Sequence, residues 1–216
     1  MTSRALAYET PRPEIARHVP AGARRVLDLG CAAGGLATLL KARGPVEVVG
    51  VEKDAAYADA AGARCDRVVH ADLETFDPAE LGRFDCLVAA DVLEHLIDPW
   101  TVLRTYARLL EPRGTAVVSL PNVAHWSTYA SLLRGTWPRN PEGIHDATHL
   151  RWFTLRDARE LLAQAGLQIA AVDRRPRLIW RGSRLDDVLG PAAVRVPALR
   201  TLVTFQHVLA AYPARA

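Results

Sequence analysis

Cysteine is scarce in this chain of 216 residues, which contains only Cys31, Cys65 and Cys86. Three is an odd number and none of them lies in a CxxC pair, so the sequence predicts neither a disulfide framework nor a zinc knuckle. We expect each cysteine to be a small buried hydrophobic residue.

Long apolar runs and targeting signals are also lacking. No apolar run follows the early Arg4, so neither a secretory signal nor a transit peptide is predicted. The apolar stretch at residues 188–212 is interrupted by prolines, arginines and a histidine, which argues against the roughly 20 apolar residues of a membrane span. We therefore expect a cytoplasmic protein with no membrane span.

Lysine is nearly absent, with only Lys41 and Lys53, and the basic residues are mostly arginines. The net charge of +3 is too small to indicate a nucleic-acid partner by itself. Five arginines lie in the segment from Arg174 to Arg184. That segment fits a site for a phosphate-bearing ligand or nucleic acid, but a solvated strand edge explains it equally well.

Short apolar segments alternate with helical patterns along the chain, which is typical of βαβ units and a parallel sheet. The predicted strands are residues 25–29, 46–51, 67–70, 84–89, 115–120 and 167–172, with a closing strand within 201–211 after a loop or short helix. The predicted helices are 35–43, 55–63, 99–110 and 155–165, with a short turn at 78–81. The length suits one domain over residues 1–216.

Residues 121–150 lose this periodicity and are rich in Trp, His, Asn, Pro and Gly. An irregular stretch of this length inside a compact domain is usually functional. We predict an irregular insert on the substrate side of the domain.

A glycine-rich turn follows the first predicted strand. Gly30 allows a tight turn, and Gly34 and Gly35 allow the backbone to approach a ligand closely. The spacing also fits the dinucleotide fingerprint loosely, so the turn alone does not separate S-adenosylmethionine from NAD.

Acidic residues stand at the ends of three successive strands. A buried Asp28 needs a cationic partner such as an amino acid's ammonium group, and Glu52 can accept hydrogen bonds from ribose hydroxyls. Asp72 can accept from an adenine amino group, with the Leu73 backbone at the ring edge. Any one of these acids could be a helix cap or a solvated strand end. Together they predict a ligand site at one edge of the sheet.

Five motifs carry a family resemblance over residues 8–170: VLDLGCAAGG, VVGVEKD, HADLE, FDCLVAADVLEHLIDP and LLEPRGTAVVSLPN. They resemble the sequential motifs of class I S-adenosylmethionine-dependent methyltransferases, particularly the bacterial group similar to ubiquinone-biosynthesis O-methyltransferases. The resemblance implies a Rossmann-like α/β fold with a mostly parallel seven-stranded sheet and helices on both faces. It implies S-adenosyl-L-methionine as cofactor, bound by Asp28, Gly30, Cys31, Gly34, Glu52, Lys53, Asp72, Leu73 and Asp91. Ala32 and Ala33 depart from the family's usual Gly-Thr or Gly-Ser.

Asp91, Glu94 and His95 follow the fourth strand, and helical spacing would place them on one face. Some relatives carry Glu-x-x-Glu-His with a further histidine and bind a divalent metal; here Asp comes first, which weakens that analogy. Helix capping and a metal-free substrate role are the favoured alternatives, so no metal ligand is assigned.

Histidines concentrate near this motif, and imidazole is a suitable general base because its pKa lies near 6.5. His149 is the preferred candidate, followed by His95, His145 and His125, although histidines also bond to loop backbone. We expect O-methylation of a small hydroxylated metabolite such as a sugar, a lipid precursor or a secondary metabolite.

Three other functions stay open. An NAD-dependent oxidoreductase fits the glycine turn but lacks a Tyr-x-x-x-Lys motif, and a nucleotide-binding module without catalysis would keep the same turn. An RNA methyltransferase is the third, although nucleic acid is not the favoured partner. A homodimer is also left open.

Overall fold

The computed structural model describes residues 11–179 and 183–214. One sheet contains seven strands: β1 (Arg25–Leu29), β2 (Glu47–Glu52), β3 (Arg67–His70), β4 (Phe84–Ala90), β5 (Leu110–Pro121), β6 (Leu167–Pro176) and β7 (Thr204–Pro213). Their order across the sheet is β3-β2-β1-β4-β5-β7-β6. β1 to β5 are parallel, whereas β7 is antiparallel to both of its neighbours. The predicted mostly parallel seven-stranded sheet is confirmed.

Helices connect the strands. They are α1 (Pro13–Ala16), α2 (Gly35–Lys41), α3 (Ala55–Ala61), α4 (Pro99–Ala107), α5 (Trp126–Leu133), α6 (Leu155–Gln164), α7 (Arg184–Arg195) and α8 (Pro197–Val203), with 3₁₀ turns at Pro78–Leu81 and Leu93–His95. Side chains satisfy the free amide groups at several helix starts: Asp54 caps α3, and Thr154 forms a capping box with Asp157 at α6. Each of these helices in the described residues is too short or too polar to cross a bilayer.

The core lies on both faces of the sheet because the central strands are apolar at consecutive positions. Leu27 of β1 belongs to a cluster that includes buried residues of α4 and α6. The neighbouring Val26 belongs to a second cluster that includes buried residues of α1 and α2. The parallel strands are therefore covered on both sides, and their carboxyl ends form the edge at which loops can build a site.

The structure corrects the prediction for residues 121–150, because α5 lies inside this segment. The His125 side chain accepts the Ser127 amide hydrogen bond at the start of α5, a cap that histidine rarely provides. Thr128 is the buried residue of this helix. Its apolar residues Trp126, Tyr129 and Leu133 follow a helical spacing, but they are exposed and do not join the core.

The C-terminal part also differs from the prediction. Two helices, α7 and α8, stand where a loop or one short helix was expected, and β6 extends to Pro176. The fourth helix ends at Ala107, and β5 begins at Leu110, five residues before the predicted strand at 115. Of the basic segment, Trp180, Arg181 and Gly182 lie outside the described residues.

Candidate active site

The turn after β1 has a backbone that requires glycine. Gly30 has φ +67°, and a Cβ placed there would lie 2.7 Å from Cγ2 of Val92. Gly34, the residue before α2, has φ +76°. The amides of Gly30 and Cys31 both donate to the Val51 carbonyl, which fixes the turn against β2. The turn is therefore rigid and lies directly beside the end of the second strand.

Glu52 connects β2 to this turn. One carboxylate oxygen accepts the Ala32 amide at 2.9 Å and the other accepts the Asp54 amide at 2.9 Å. Each carboxylate oxygen can accept a further hydrogen bond. The side chain is thus held in a single orientation and still has acceptor capacity for a pair of hydroxyl groups.

Asp28 is buried at the end of β1 with 4% exposure. Burial raises its pKa to about 7; the positive charge of Arg12 opposes that rise and the negative charge of Glu52 adds to it. Within residues 11–179 and 183–214 its carboxylate has no hydrogen-bond donor. A cationic group of a ligand would supply the partner that the fold leaves out.

Asp72 follows β3 and forms an ion pair with Lys53, whose Nζ lies 2.7 Å from the carboxylate. The Glu74 amide donates to its other oxygen. The hydrogen bond and charge of Lys53 keep the pKa of Asp72 below its ordinary value. Lys53 is 75% exposed, so the ion pair is open to solvent and weak. Leu73 is buried beside it.

The side chain of Cys31 is buried, as the sequence predicts for each cysteine, so it is not placed as the cofactor contact that the resemblance implies. Its Sγ lies 2.4 Å from the position that a Cβ on Gly50 would occupy, inside the core cluster beneath α2. A hydrogen bond to Cys65 and burial raise the pKa of its thiol. The side chain therefore faces the core, and only the backbone of Cys31 belongs to the turn.

Asp91 departs from the prediction that it shares a helix face with Glu94. It has φ +53° and precedes a single 3₁₀ turn rather than an α-helix. Its carboxylate accepts hydrogen bonds from Arg12 at 2.6 Å, Ser119 at 2.8 Å and Gln206 at 2.6 Å. Burial raises its pKa, but Arg12 and the hydrogen bonds outweigh that effect and leave it below the ordinary value.

The three partners of Asp91 were missed by sequence reasoning. Ser119 has a weak signal, because it is a polar residue in the apolar run AVVSL. Arg12 and Gln206 have none, since each belongs to no motif and only the tertiary fold brings it to the end of β4.

Glu94, His95 and His149 form a compact cluster. One ligand atom from each lies within 4.8 Å of the others, and the two imidazole rings meet edge to face with centroids 4.6 Å apart. Nδ1 of His149 lies 3.0 Å from the Ile144 carbonyl and that of His95 lies 3.0 Å from the Thr148 hydroxyl. The Nε2 atom of His149 lies 3.9 Å from the Glu94 carboxylate.

Glu94 is 1% exposed, and within the described residues neither carboxylate oxygen has a hydrogen-bond partner. Burial, reinforced by the charge of Asp91, raises its pKa well above the ordinary value. Burial followed by the charge of His149 lowers the pKa of His95. A buried carboxyl without a donor beside two imidazoles is suited to proton transfer or to holding a cation.

His125 and His145 lie outside this cluster. Nε2 of His125 lies 2.7 Å from the Arg177 carbonyl and Nδ1 lies 2.8 Å from the Ser127 hydroxyl, so both ring nitrogens are engaged. Nε2 of His145 lies 3.3 Å from the Thr128 hydroxyl. Both therefore contribute to the packing around α5, in contrast to His149.

Residues 3–172 of the chain match the protein family described as a methyltransferase domain. The ubiquinone biosynthesis O-methyltransferase of Ruegeria pomeroyi is 34% identical over 188 residues, which cover 80% of this chain and 70% of the relative. The enzyme of that name from Bradyrhizobium diazoefficiens is 35% identical over 136 residues, which cover 58% of this chain and 51% of the relative. The chain thus spans about half the length of that curated relative.

Solved structures show the same fold at lower identity. A SAM-dependent methyltransferase from Archaeoglobus fulgidus has a TM-score of 0.65 and 20% identity, and the match covers 97% of this chain and 94% of that chain. Magnesium protoporphyrin IX methyltransferase from Synechocystis PCC 6803, solved with bound SAH, has a TM-score of 0.63 and 15% identity over 97% of this chain and 83% of that chain.

Proposed function

The chain belongs to the methyltransferase-domain family, in the class I S-adenosylmethionine-dependent group, and from that premise we propose that it methylates a hydroxyl oxygen of a small metabolite. The observation that carries this proposal is the cluster of the buried Glu94 and His149 with the partly buried His95. Glu94 and His95 follow β4, at the same edge of the sheet as the predicted donor site. The names of the curated relatives support oxygen as the acceptor atom.

The acids at the strand ends are proposed to hold the donor. S-adenosylmethionine supplies an electrophilic methyl group on a sulfonium. Asp28 would pair with its ammonium group, since no described residue donates to this buried carboxylate. Glu52 would accept from both ribose hydroxyls, in the orientation that the amides of Ala32 and Asp54 give it. Asp72 and the Leu73 backbone would meet the adenine edge, with Lys53 moving away from Asp72.

His149 is the proposed general base. If Nδ1 carries the hydrogen and donates to the Ile144 carbonyl, Nε2 has the free lone pair that takes the acceptor's proton. Glu94 lies 3.9 Å from that Nε2, and in its ionised form it would stabilise the resulting imidazolium. Methyl transfer requires mainly orientation and removal of this proton, so the cluster supplies the chemistry that the protein must add.

A divalent cation at the same cluster is the second candidate, and the unpartnered Glu94 carboxylate specifically favours it. A carboxylate and two imidazole nitrogens are a suitable ligand set for a transition metal. Glu94, His95 and His149 would hold the ion, which would lower the pKa of the acceptor hydroxyl.

An assay with radiolabelled methyl donor against a panel of phenolic, sugar and lipid-precursor hydroxyl compounds tests the proposed activity. An accepted compound should lose its turnover by about 100-fold or more in His149→Ala, within the range of general-base effects. His18→Ala is the matched control, because His18 pairs with Asp173 and not with a member of the cluster. Full turnover in His149→Ala would exclude this base.

We also propose that the chain acts as one domain in the cytoplasm on a small molecule rather than on nucleic acid. Cys31, Cys65 and Cys86 are all free and buried, as is usual for a reducing compartment.

A further inference from the structure

Towards the β6 edge of the sheet, Arg159 and Arg174 lie close enough to His207 for their charges to act on it, and the charges of Arg159 and Arg200 act on Arg174. We call Arg159, Arg174, Arg200 and His207 the arginine cluster. Arg174 of β6 and His207 of β7 are directly paired across the two strands. Directly paired residues of antiparallel strands point to the same face, with Cβ atoms about 5 Å apart. Leu209, two residues after His207 on the same face, belongs to the core that α6 covers, and Arg159 lies on α6.

His207 has no hydrogen-bond partner among the described residues. It is 2% exposed, and within the described residues neither ring nitrogen has a hydrogen bond. Burial lowers its pKa to about 4, and the positive charges of Arg174 and Arg159 add to that effect. Buried polar side chains are nearly always hydrogen-bonded, so an imidazole without any partner needs an explanation.

In the part of the chain that the structure describes, the arginines also lack partners of opposite charge. Along residues 11–179 and 183–214, Arg159, Arg174 and Arg200 form no ion pair with a carboxylate. Burial lowers the pKa of Arg174, and the charges of Arg200 and Arg159 lower it further. The neighbouring Asp173, on the opposite face of β6, is bound to Arg17 and His18. Repulsion among these guanidinium groups is destabilising, and no described acid balances their charge here.

We propose that the arginine cluster is a binding site for a phosphate group, formed by the guanidinium groups of Arg159, Arg174 and Arg200 with the His207 imidazole as a further donor. Guanidinium groups donate pairs of hydrogen bonds to phosphate oxygens, and a doubly charged anion balances several of them better than a carboxylate does. Nε of Arg200 already donates to the Val194 carbonyl, which leaves its outer nitrogens for the ligand.

The site is separate from the donor site but lies at the same end of the sheet. His207 pairs with Leu120 near the end of β5, and the adjacent Gln206 contacts Asp91 from the opposite face. This inference does not depend on the proposed O-methylation, since it concerns binding alone.

Calorimetric titration of the full chain with inorganic phosphate and, separately, with phenyl phosphate tests the proposal. We expect saturable binding that is at least about tenfold weaker in Arg174→Ala and in Arg159→Ala, in line with the loss of a hydrogen bond to a charged group. Arg159 is exposed, so its variant should fold even if Arg174→Ala does not. Arg156→Ala, an exposed arginine of the same helix, is the matched control and should bind as the wild type does.

The two probes separate the sources of the phosphate group. Tighter binding of phenyl phosphate assigns the site to a phosphate ester, and tighter binding of inorganic phosphate assigns it to the free ion. Absence of saturable binding to the folded wild-type chain would overturn the proposal, as would equal weakening by Arg156→Ala.

Discussion

Nη2 of Arg12 lies 2.6 Å from Oδ2 of Asp91, a contact between residues 79 positions apart in the sequence. The contact connects the segment before α1 to the end of β4. The charge of the same guanidinium opposes the rise in the pKa of Asp28, so Arg12 influences two of the acids assigned to the predicted cofactor site.

Replacing Arg12 with alanine should destabilise the fold. The variant leaves the Asp91 carboxylate with Ser119 and Gln206 but without a counter-charge, and we expect a loss of about 1–3 kcal/mol in the free energy of unfolding. Urea denaturation measures it. Arg17→Ala is the control, since the Arg17 pair with Asp173 is more exposed and should contribute less than about 1 kcal/mol. Equal losses in the two variants would contradict a special role for Arg12.

Gly30→Ala should be more harmful than a glycine substitution with open space around it. The new Cβ would meet Val92 at 2.7 Å in a backbone region that alanine disfavours. We expect a loss of roughly 3 kcal/mol, the sum of backbone strain and overpacking. Gly166→Ala has a similar φ of +74° with nothing within 4 Å, so its loss should be about 1–2 kcal/mol. Similar denaturation midpoints for the two variants would show that the approach of Val92 is unimportant.

Donor affinity should depend on the ionisation of Asp28. Its pKa is raised to about 7, and only the carboxylate form attracts an ammonium group. Affinity for S-adenosylhomocysteine should therefore rise between about pH 6 and pH 7.5, by up to tenfold per pH unit below the pKa. Above the pKa the affinity should level off. Asp28→Asn, which cannot ionise, should bind weakly with little change over this range. A flat profile in the wild-type protein would contradict the assigned partner.

The same pKa shift affects stability with the opposite sign. The folded pKa of Asp28 lies above the unfolded value of 3.8, so the folded chain binds more protons between about pH 4 and pH 7. This group's contribution to stability is present below pH 4 and is lost as the pH rises towards 7. The ligand's ammonium group would remove that loss.

Removal of divalent metal separates the two ways in which the Glu94–His95–His149 cluster could act. If His149 is a direct base, turnover after dialysis against a chelator should stay within about twofold of the untreated value. That change is far smaller than the loss expected when a general base is removed. Calorimetric titration with Mn²⁺ should then show no saturable binding that Glu94→Gln weakens. Loss of turnover that Mn²⁺ restores, with weaker Mn²⁺ binding in Glu94→Gln, would contradict the direct base and support the cation.

The sheet could be predicted from the sequence because its signals are local. The apolar runs at β1 and β4 and the glycine turn between β1 and α2 depend on neighbouring residues alone. Helix α5 was missed because its N-terminal cap is a histidine, which is not among the usual cap residues Ser, Thr, Asp and Asn. The segment of α7 and α8 was predicted only as a loop or one short helix, because Pro191 lies inside α7 and Pro197 begins α8, and prolines at such positions suggest a loop.

In the candidate site, only the residues that lie at the ends of strands could be predicted from the sequence. Asp28 and Glu52 follow directly from the order of β1 and β2, whereas the partners of Asp91 come from distant parts of the chain. Helical spacing predicted Asp91 and Glu94 on one helix face, but Asp91 has a left-handed backbone and Glu94 lies in a 3₁₀ turn. Glu94 then joins His149 through the loop before α6, where the Leu150 amide donates to the Glu94 carbonyl.

Calorimetric titration with S-adenosylhomocysteine tests most directly the claim that the strand-end carboxylates hold the donor. The wild-type chain should bind, and Glu52→Gln should bind at least about tenfold more weakly, because its NH₂ group would face the amide of Ala32 or Asp54 in place of an acceptor. Glu47→Gln, on the exposed start of the same strand, should bind as the wild type does. Absence of binding by the folded wild-type chain, or unchanged affinity in Glu52→Gln, would contradict the claim.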